Sequence, residues 1–145
     1  MSDTDLMQLY SRRILALTAA IPHLGRLDAP GGTAMRRSPQ CGSSVTTDVT
    51  VSNGRISDFA QEVRACALGQ ASAAVLGGAV IGRSRDEIAS ARDALAAMLK
   101  AAGPVPDAPF DGLEALVPAR EFPSRHASIM LAWDATLAAM DSAAS

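Results

Sequence analysis

The feature that most constrains this chain is a run of alternating residues that ends in an Asn-Gly pair. One face of the run carries Val45, Thr47, Val49 and Val51, and the other carries Thr46, Asp48 and Thr50. This alternation predicts a strand with one buried face. Asn53-Gly54 supplies the positive φ angles of a tight turn, and Arg55 to Arg64 can return as the partner strand. The imperfect alternation of that second segment is compatible with a bulge.

Helical patterns lie on both sides of this hairpin. A first helix is predicted to run to about Ala20, and its apolar positions are Leu6, Leu9, Tyr10, Ile14 and Leu17. A second helix of small residues is predicted after Cys66, with a stop or bend at Gly77-Gly78. A third begins at Ser84 and Glu87, which have the spacing of a capping box, and carries the apolar stripe Ile88, Ala91, Leu95, Met98 and Leu99.

The remaining segments complete a single domain. Residues 22–42 are rich in Pro and Gly and are predicted to form a long loop, in which Gly31-Gly32 supply flexibility. A short helix is predicted over 110–117, and a last helix from about Ser124. One hairpin near 44–64 packed against several helices is an α+β domain with a small antiparallel sheet, and no internal boundary divides residues 1–145.

Composition excludes several classes of partner. Thirteen Lys and Arg face fifteen Asp and Glu, and 3% of the residues are aromatic, so the chain lacks the basic face and the stacking rings of a nucleic-acid binder. The longest apolar run near the start, Ile14 to Ile21, is too short to span a bilayer, and acidic residues precede it. We therefore expect no nucleic acid, no membrane and a cytoplasmic location, in which two cysteines remain thiols.

The two cysteines are the first candidates for chemistry. Cys41 ends the predicted loop just before the first strand, and Cys66 follows the partner strand at the start of a helix. Because a hairpin brings the start of one strand near the end of the other, the two thiols are expected to be neighbours. A cysteine at a helix N-terminus also has its thiolate stabilised by the helix dipole. The alternative is that both are small residues that only fill space.

Several short motifs in order resemble the IscU/NifU/SufU family of iron-sulfur cluster assembly proteins, and the resemblance covers nearly the whole chain. The motifs are His23-Leu24-Gly25-Arg26-Leu27-Asp28, Pro39-Gln40-Cys41-Gly42, Gly54-Arg55-Ile56-Ser57-Asp58, Cys66 with Ala71-Ser72, Pro123-Ser124-Arg125, and Leu131-Ala132-Trp133. The resemblance implies a SufE/NifU-like fold and a single NifU N-terminal-like or IscU-like domain. The long interval between Cys66 and Ser128 is similar to the corresponding interval in the SufU subgroup.

The resemblance also implies a site of three cysteines and one aspartate. By position, Cys41 and Cys66 are the first and second cysteines, while Ser43 stands at the aspartate position and Ser128 at the third cysteine. SufU-like proteins bind zinc through these ligands, and IscU-like proteins hold a [2Fe-2S] cluster or iron there. Neutral serine hydroxyls are poor replacements, so a two-thiolate site would need donors from elsewhere or from a partner.

Nearby charged and imidazole groups can be ranked by helix geometry. Arg125 precedes Ser128 by three residues, on nearly the same face, and is expected to look toward the thiols and lower a thiol pKa; its alternative is a solvated residue at a helix start. His126 lies about 200° around the helix from Ser128 and is expected to point away. His23 is expected to have a surface or capping role rather than to be a ligand.

Two functional hypotheses follow from the resemblance. In the first, the chain is a scaffold or sulfur carrier between a cysteine desulfurase and recipient apo-proteins, more a non-enzymatic scaffold than an enzyme, although a sulfurtransferase-type role stays open. Cys41 would then accept a persulfide sulfur, and Cys66 would be a second ligand or a resolving thiol. In the second, the chain keeps the fold and the desulfurase-binding surface but binds no metal, and acts as an adaptor or regulator.

Overall fold

The computed structural model describes residues 10–39 and 42–143. These residues form an α+β fold around a three-stranded antiparallel sheet with strand order β1-β2-β3. The strands are β1 (Gly32–Arg37), β2 (Ser44–Ser52) and β3 (Arg55–Arg64). The predicted fold class is confirmed.

The predicted hairpin is confirmed in its position and in its irregularity. β2 and β3 pair antiparallel around a turn at Asn53 and Gly54, which both have positive φ. The register shifts where Thr50 faces Asp58 and Val51 faces Ile56, so β3 has one extra residue there. The bulge returns Ile56 and Phe59 to the buried side, where both are almost fully inaccessible.

The described helices agree with the predicted order, and the part of the first predicted helix that carries Leu6 and Leu9 lies outside the described residues. They are α1 (Arg12–Thr18), α2 (Ala67–Ala79), α3 (Arg85–Lys100) and α4 (His126–Ala143), with 3₁₀ helices at Asp111–Glu121 and Pro123–Arg125. The Ser84 hydroxyl accepts a hydrogen bond from the Glu87 N–H and the Glu87 carboxylate accepts one from the Ser84 N–H, so the capping box is confirmed. Within the described ranges, no helix is both long and apolar enough to cross a bilayer.

The prediction of one long loop over residues 22–42 is wrong in its second half. Residues 32–37 form β1, the edge strand that pairs with β2 from Gly32↔Val49 to Arg37↔Ser44. Gly32 is buried against α4, and a Cβ on it would lie 2.7 Å from the Ala143 backbone nitrogen. The Gly31-Gly32 pair therefore permits close packing rather than flexibility. β1 escaped prediction because most of its side chains are exposed, which removes the alternation.

Asp48 is buried, although its place on the polar face of β2 predicted exposure. Its side chain is fully inaccessible because the segment after His23 folds across the sheet. Arg26 donates to both carboxylate oxygens at 2.7 and 3.0 Å, the Leu27 N–H donates at 3.0 Å, and the Thr33 hydroxyl donates at 2.7 Å. The carboxylate thus ties this segment to β1 and β2.

α4 is the centre of the core. It packs across β1 and β2 and against α2 and α3, and its Trp133 is fully buried. On the outer side, Arg85 pairs with Asp141 and Arg92 with Asp134, so part of the charged face of α3 is bound to α4. α4 is consequently held on several sides, and its first turn is fixed relative to the sheet.

Candidate functional site

Three of the positions singled out by the sequence meet at one end of the sheet. Ser128 Oγ lies 3.2 Å from Ser43 Oγ and 3.5 Å from Cys66 Sγ, and its one hydrogen, which can be donated to either neighbour, goes to the sulfur when Cys66 is a thiolate. Ser43 and Ser128 are buried, whereas Cys66 is partly exposed. Residues far apart in the sequence thus form one cluster, which we call the Ser-Cys-Ser cluster (Ser43, Cys66 and Ser128).

Each member of the cluster comes from the end of a different element. Ser43 directly precedes β2, Cys66 is the N-cap residue of α2, and Ser128 lies in the first turn of α4. Gly69 allows α2 to approach α4, because a Cβ on it would lie 2.7 Å from Ser128 Oγ and 3.1 Å from the Ser128 carbonyl oxygen. The sequence analysis did not single out Gly69. The run of small residues after Cys66 is the sequence feature that indicates this close approach.

A buried hydroxyl one turn away fixes the spacing between α2 and α4. Ser72 Oγ donates to the Ile129 carbonyl at 2.7 Å and accepts from Trp133 Nε1 at 2.9 Å. All the groups involved are buried, so the two hydrogen bonds are not exchanged for water. Ser72 of the Ala71-Ser72 motif and Trp133 of the Leu131-Ala132-Trp133 motif therefore act together, with the Ile129 carbonyl, to set the distance between Cys66 and Ser128. We call these three residues the Ser72 clamp.

Cys41 lies outside the described residues, but the segment that leads to it is anchored on both sides. The Ser38 N–H donates to the Ser43 carbonyl at 2.8 Å, and the Gly42 N–H donates to the Ser38 carbonyl at 3.0 Å. Gly42 has a φ of 73°, in the region that favours glycine. These bonds hold Ser38 close to Gly42 and Ser43, beside the Ser-Cys-Ser cluster.

The surroundings of Cys66 favour its thiolate. Burial raises the pKa of the thiol, but the hydroxyl of Ser128, the backbone N–H groups of Gly69 and Leu68 and the side chain of Arg125 lower it, and the net pKa lies below the ordinary value. These N–H groups are in the first turn of α2, where backbone N–H groups have no acceptor within the helix and the helix dipole also favours a negative charge. Cys66 is therefore equipped to act as a nucleophile or a ligand.

The role of Ser128 can be tested by alkylation of Cys66. In a Cys41→Ser background, Cys66 is the remaining thiol, and we expect Ser128→Ala to raise its pKa and slow its reaction with iodoacetamide about threefold at pH 7. The pH profile of the rate measures the shift. Ser90→Ala, on α3, is the matched control and should leave the profile unchanged. An unchanged pH profile in Ser128→Ala would refute the role of the hydroxyl.

Arg125 and the two histidines have different surroundings. Arg125, which directly precedes α4, contributes to the lowered pKa of Cys66. His126 is buried and its Nε2 lies 2.8 Å from the Ala119 carbonyl oxygen, in the 3₁₀ helix on the other side of α4. His23 is exposed and its ring meets Phe59 edge-on at a centroid distance of 5.9 Å. Neither imidazole joins the cluster.

The donors of the cluster do not fit a zinc or iron site by themselves. Such sites use about four thiolate, imidazole or carboxylate ligands, whereas Ser43 and Ser128 offer neutral hydroxyls. These hydroxyls already bond to each other and to Cys66. Among residues 10–39 and 42–143, no three His, Cys, Asp or Glu side chains are grouped as a metal site would require. What the cluster offers chemically is one activated thiol with hydroxyl donors beside it.

Comparison with known proteins gives consistent matches along the chain. Residues 9–142 match the family described as the NifU-like N terminal domain. The iron-sulfur cluster assembly scaffold protein IscU of Streptococcus pyogenes serotype M1 is 26% identical over 135 residues, which cover 93% of this chain and 84% of that protein.

Solved structures are similar over the same length. The crystal structure of a nitrogen-fixing NifU-like protein (N-terminal) from Brucella abortus superimposes with a TM-score of 0.94 at 38% identity and covers 97% of each chain. A putative iron-sulfur cluster assembly scaffold protein for the SUF system from Fervidobacterium islandicum AW-1 has a TM-score of 0.81 at 20% identity, covering 92% of this chain and 98% of its own, and shows the shared fold.

Proposed function

Because the chain belongs to the NifU-like N-terminal domain family, as its motifs predicted, we propose that it acts in iron-sulfur cluster assembly as a carrier of sulfur. The sulfur comes from a cysteine desulfurase and passes to recipient apo-proteins. The observation that supports this proposal most is the Ser-Cys-Ser cluster, in which the partly exposed thiol of Cys66 has a lowered pKa. The name of the Streptococcus relative, a scaffold for cluster assembly, supports the same process.

The proposed acceptor is Cys41. It is two residues from Ser43 along the chain, and two residues of chain span at most about 7 Å, so its backbone stays close to the cluster. The Cys41 thiolate attacks the terminal sulfur of the desulfurase persulfide. The sulfur–sulfur bond of the donor breaks, a new one forms on Cys41, and the desulfurase cysteine leaves as a thiolate. No external oxidant or reductant is needed.

Cys66 is proposed as the resolving thiol or as a second ligand. As a thiolate it can attack the sulfur of Cys41 that carries the persulfide, which forms a disulfide and releases hydrosulfide. The lowered pKa of Cys66 favours this step at neutral pH. Iron delivered to the pair would be cargo and would need further donors from a partner protein, since the serines supply none of the required charge.

The proposal is tested by following sulfur from labelled cysteine through a desulfurase onto the purified chain. We expect Cys41→Ser to lose at least about nine-tenths of the transferred sulfur, because the acceptor thiolate is gone. Cys66→Ser should still load Cys41 but release less hydrosulfide. Mass spectrometry of the intact chain and its peptides measures both. A Cys41→Ser variant that loads at the wild-type rate would exclude Cys41 as the acceptor.

A second candidate function is supported by the same hydroxyls. Ser43 and Ser128 hydrogen-bond to each other within the region where the family places ligands, which suits a chain that binds a desulfurase but retains neither metal nor sulfur. In this adaptor function the chain would change desulfurase turnover without accepting sulfur. Wild-type protein that binds the desulfurase and stays unmodified on both cysteines would favour the adaptor, whereas a persulfide on Cys41 would exclude it.

A further inference from the structure

The end of the sheet that carries the cluster also gathers exposed arginines. Arg37 at the end of β1 and Arg64 at the end of β3 both face Ser44 of β2 in the strand register, so they flank one position. Together with Met35, Thr46 and Glu62 they line a shallow hollow on the outer face of the sheet. We call the group Met35, Arg37 and Arg64 the basic strand-end surface.

Arg37 and Arg64 differ from many arginines of the described residues because no carboxylate there pairs with them. Within residues 10–39 and 42–143, arginines such as Arg26, Arg85 and Arg92 form ion pairs, whereas Arg37 and Arg64 form none. Glu62, the acidic residue in the hollow, lies 3.9 Å from Arg26. The hollow thus holds two arginines and one glutamate, a local excess of positive charge in a chain whose net charge is −2.

The surface also has the composition of a protein interface. Met35 is 46% exposed and is one of the few large apolar side chains at the surface of the described residues. Methionine and arginine are both enriched in protein interfaces. Arg64 ends β3 two residues before Cys66, so the surface adjoins the end of the sheet from which the chain leads to the thiol.

We propose that the basic strand-end surface docks an acidic, carboxylate-bearing face of the protein that donates sulfur to this chain. The proposal rests on the proposed function for the identity of that donor as a cysteine desulfurase. Opposite charges raise the rate of encounter and orient the two proteins, so the surface brings the donor persulfide to the cysteines. Because the charges are exposed, their contribution is screened by salt.

The test compares association of the full chain with a cysteine desulfurase at 50 and 500 mM NaCl. We expect Arg37→Glu with Arg64→Glu to lower the association rate at low salt about 10- to 100-fold, and high salt to bring the wild type close to the variant. Arg12→Glu with Lys100→Glu is the matched control, since both cations are exposed elsewhere. Arg37→Gln with Arg64→Gln gives a milder variant, and thermal melts verify that all of them fold.

A small persulfide donor separates docking from chemistry. With cysteine persulfide in place of the desulfurase, the charge-reversal variant should load sulfur to within about twofold of the wild type, because no protein surface is needed. Association of the variant at the wild-type rate, or equal losses in the control, would overturn the docking proposal. Arginine-dependent association without any sulfur on the chain would support the surface and contradict the proposed sulfur carrier.

Discussion

Replacement of Asp48 by alanine is expected to lower the free energy of unfolding by about 3 kcal/mol, as measured by urea denaturation. The buried carboxylate accepts hydrogen bonds from Arg26, the Leu27 N–H and the Thr33 hydroxyl, and its removal deletes these charge-assisted bonds together. The loss stays below that of a fully buried ion pair because the Arg26 side chain is 48% exposed and can be solvated. Asp58→Ala, at an exposed site on β3, should change stability by less than about 0.5 kcal/mol.

The pH dependence of stability gives a second readout of the same residue. Burial raises the pKa of Asp48, but the hydrogen bonds from Arg26, Thr33 and Leu27 lower it by more than burial raises it. The net pKa is therefore below the ordinary value. Its contribution is therefore fully present above the pKa of an unfolded aspartate, about 4, and is lost as pH falls through the lower folded-state value. Asp48→Asn should flatten this acid limb. An unchanged acid limb would show that other carboxylates control it.

Zinc affinity is expected to rise by at least about three orders of magnitude in Ser43→Asp with Ser128→Cys. The two substitutions place a carboxylate and a thiolate next to Cys66, at positions whose oxygens lie within 3.5 Å of a neighbour in the cluster. With Cys41 they would complete a set of three thiolates and one carboxylate, which suits a tetrahedral zinc ion. Competition with a chelator measures the affinity, and elemental analysis measures the stoichiometry.

The zinc experiment has an internal control and a stability readout. Adding Cys66→Ser to the double variant removes one thiolate and should reverse most of the gain in affinity. Without zinc, the double variant should melt at a lower temperature than the wild type because it buries an extra charge, and zinc should restore the melting temperature. A double variant that folds but takes up no zinc would mean that the backbone no longer holds these positions at ligand spacing.

Much of the fold could be predicted from local signals. The Asn53-Gly54 turn, the capping box at Ser84 and the apolar stripes are each read from a few neighbouring residues, and each determines one element. The site positions needed more, because Ser43 and Ser128 are inconspicuous serines whose importance came from the family resemblance. Their convergence depends on tertiary packing between α2, α4 and the sheet, which no local pattern contains.

The failures share a physical cause. β1 is an edge strand, and burial on one side is incomplete, so its sequence Gly-Thr-Ala-Met-Arg-Arg shows no alternation. Asp48 looked like a solvent-facing residue until a segment distant in sequence folded over it and supplied donors. In both cases the deciding contact comes from another part of the chain.

The Ser72 clamp has a consequence for how this site can change over evolutionary time. The hydrogen bonds from Ser72 to Ile129 and from Trp133 to Ser72 hold α2 and α4 together next to the cluster. None of these three residues takes part in the chemistry. Positions 43, 66 and 128 can therefore exchange serine, cysteine or aspartate while the distances between their backbones stay the same. Single substitutions can remove a ligand from the site and restore it, because the residues that set the spacing of the helices are not the residues that occupy the site.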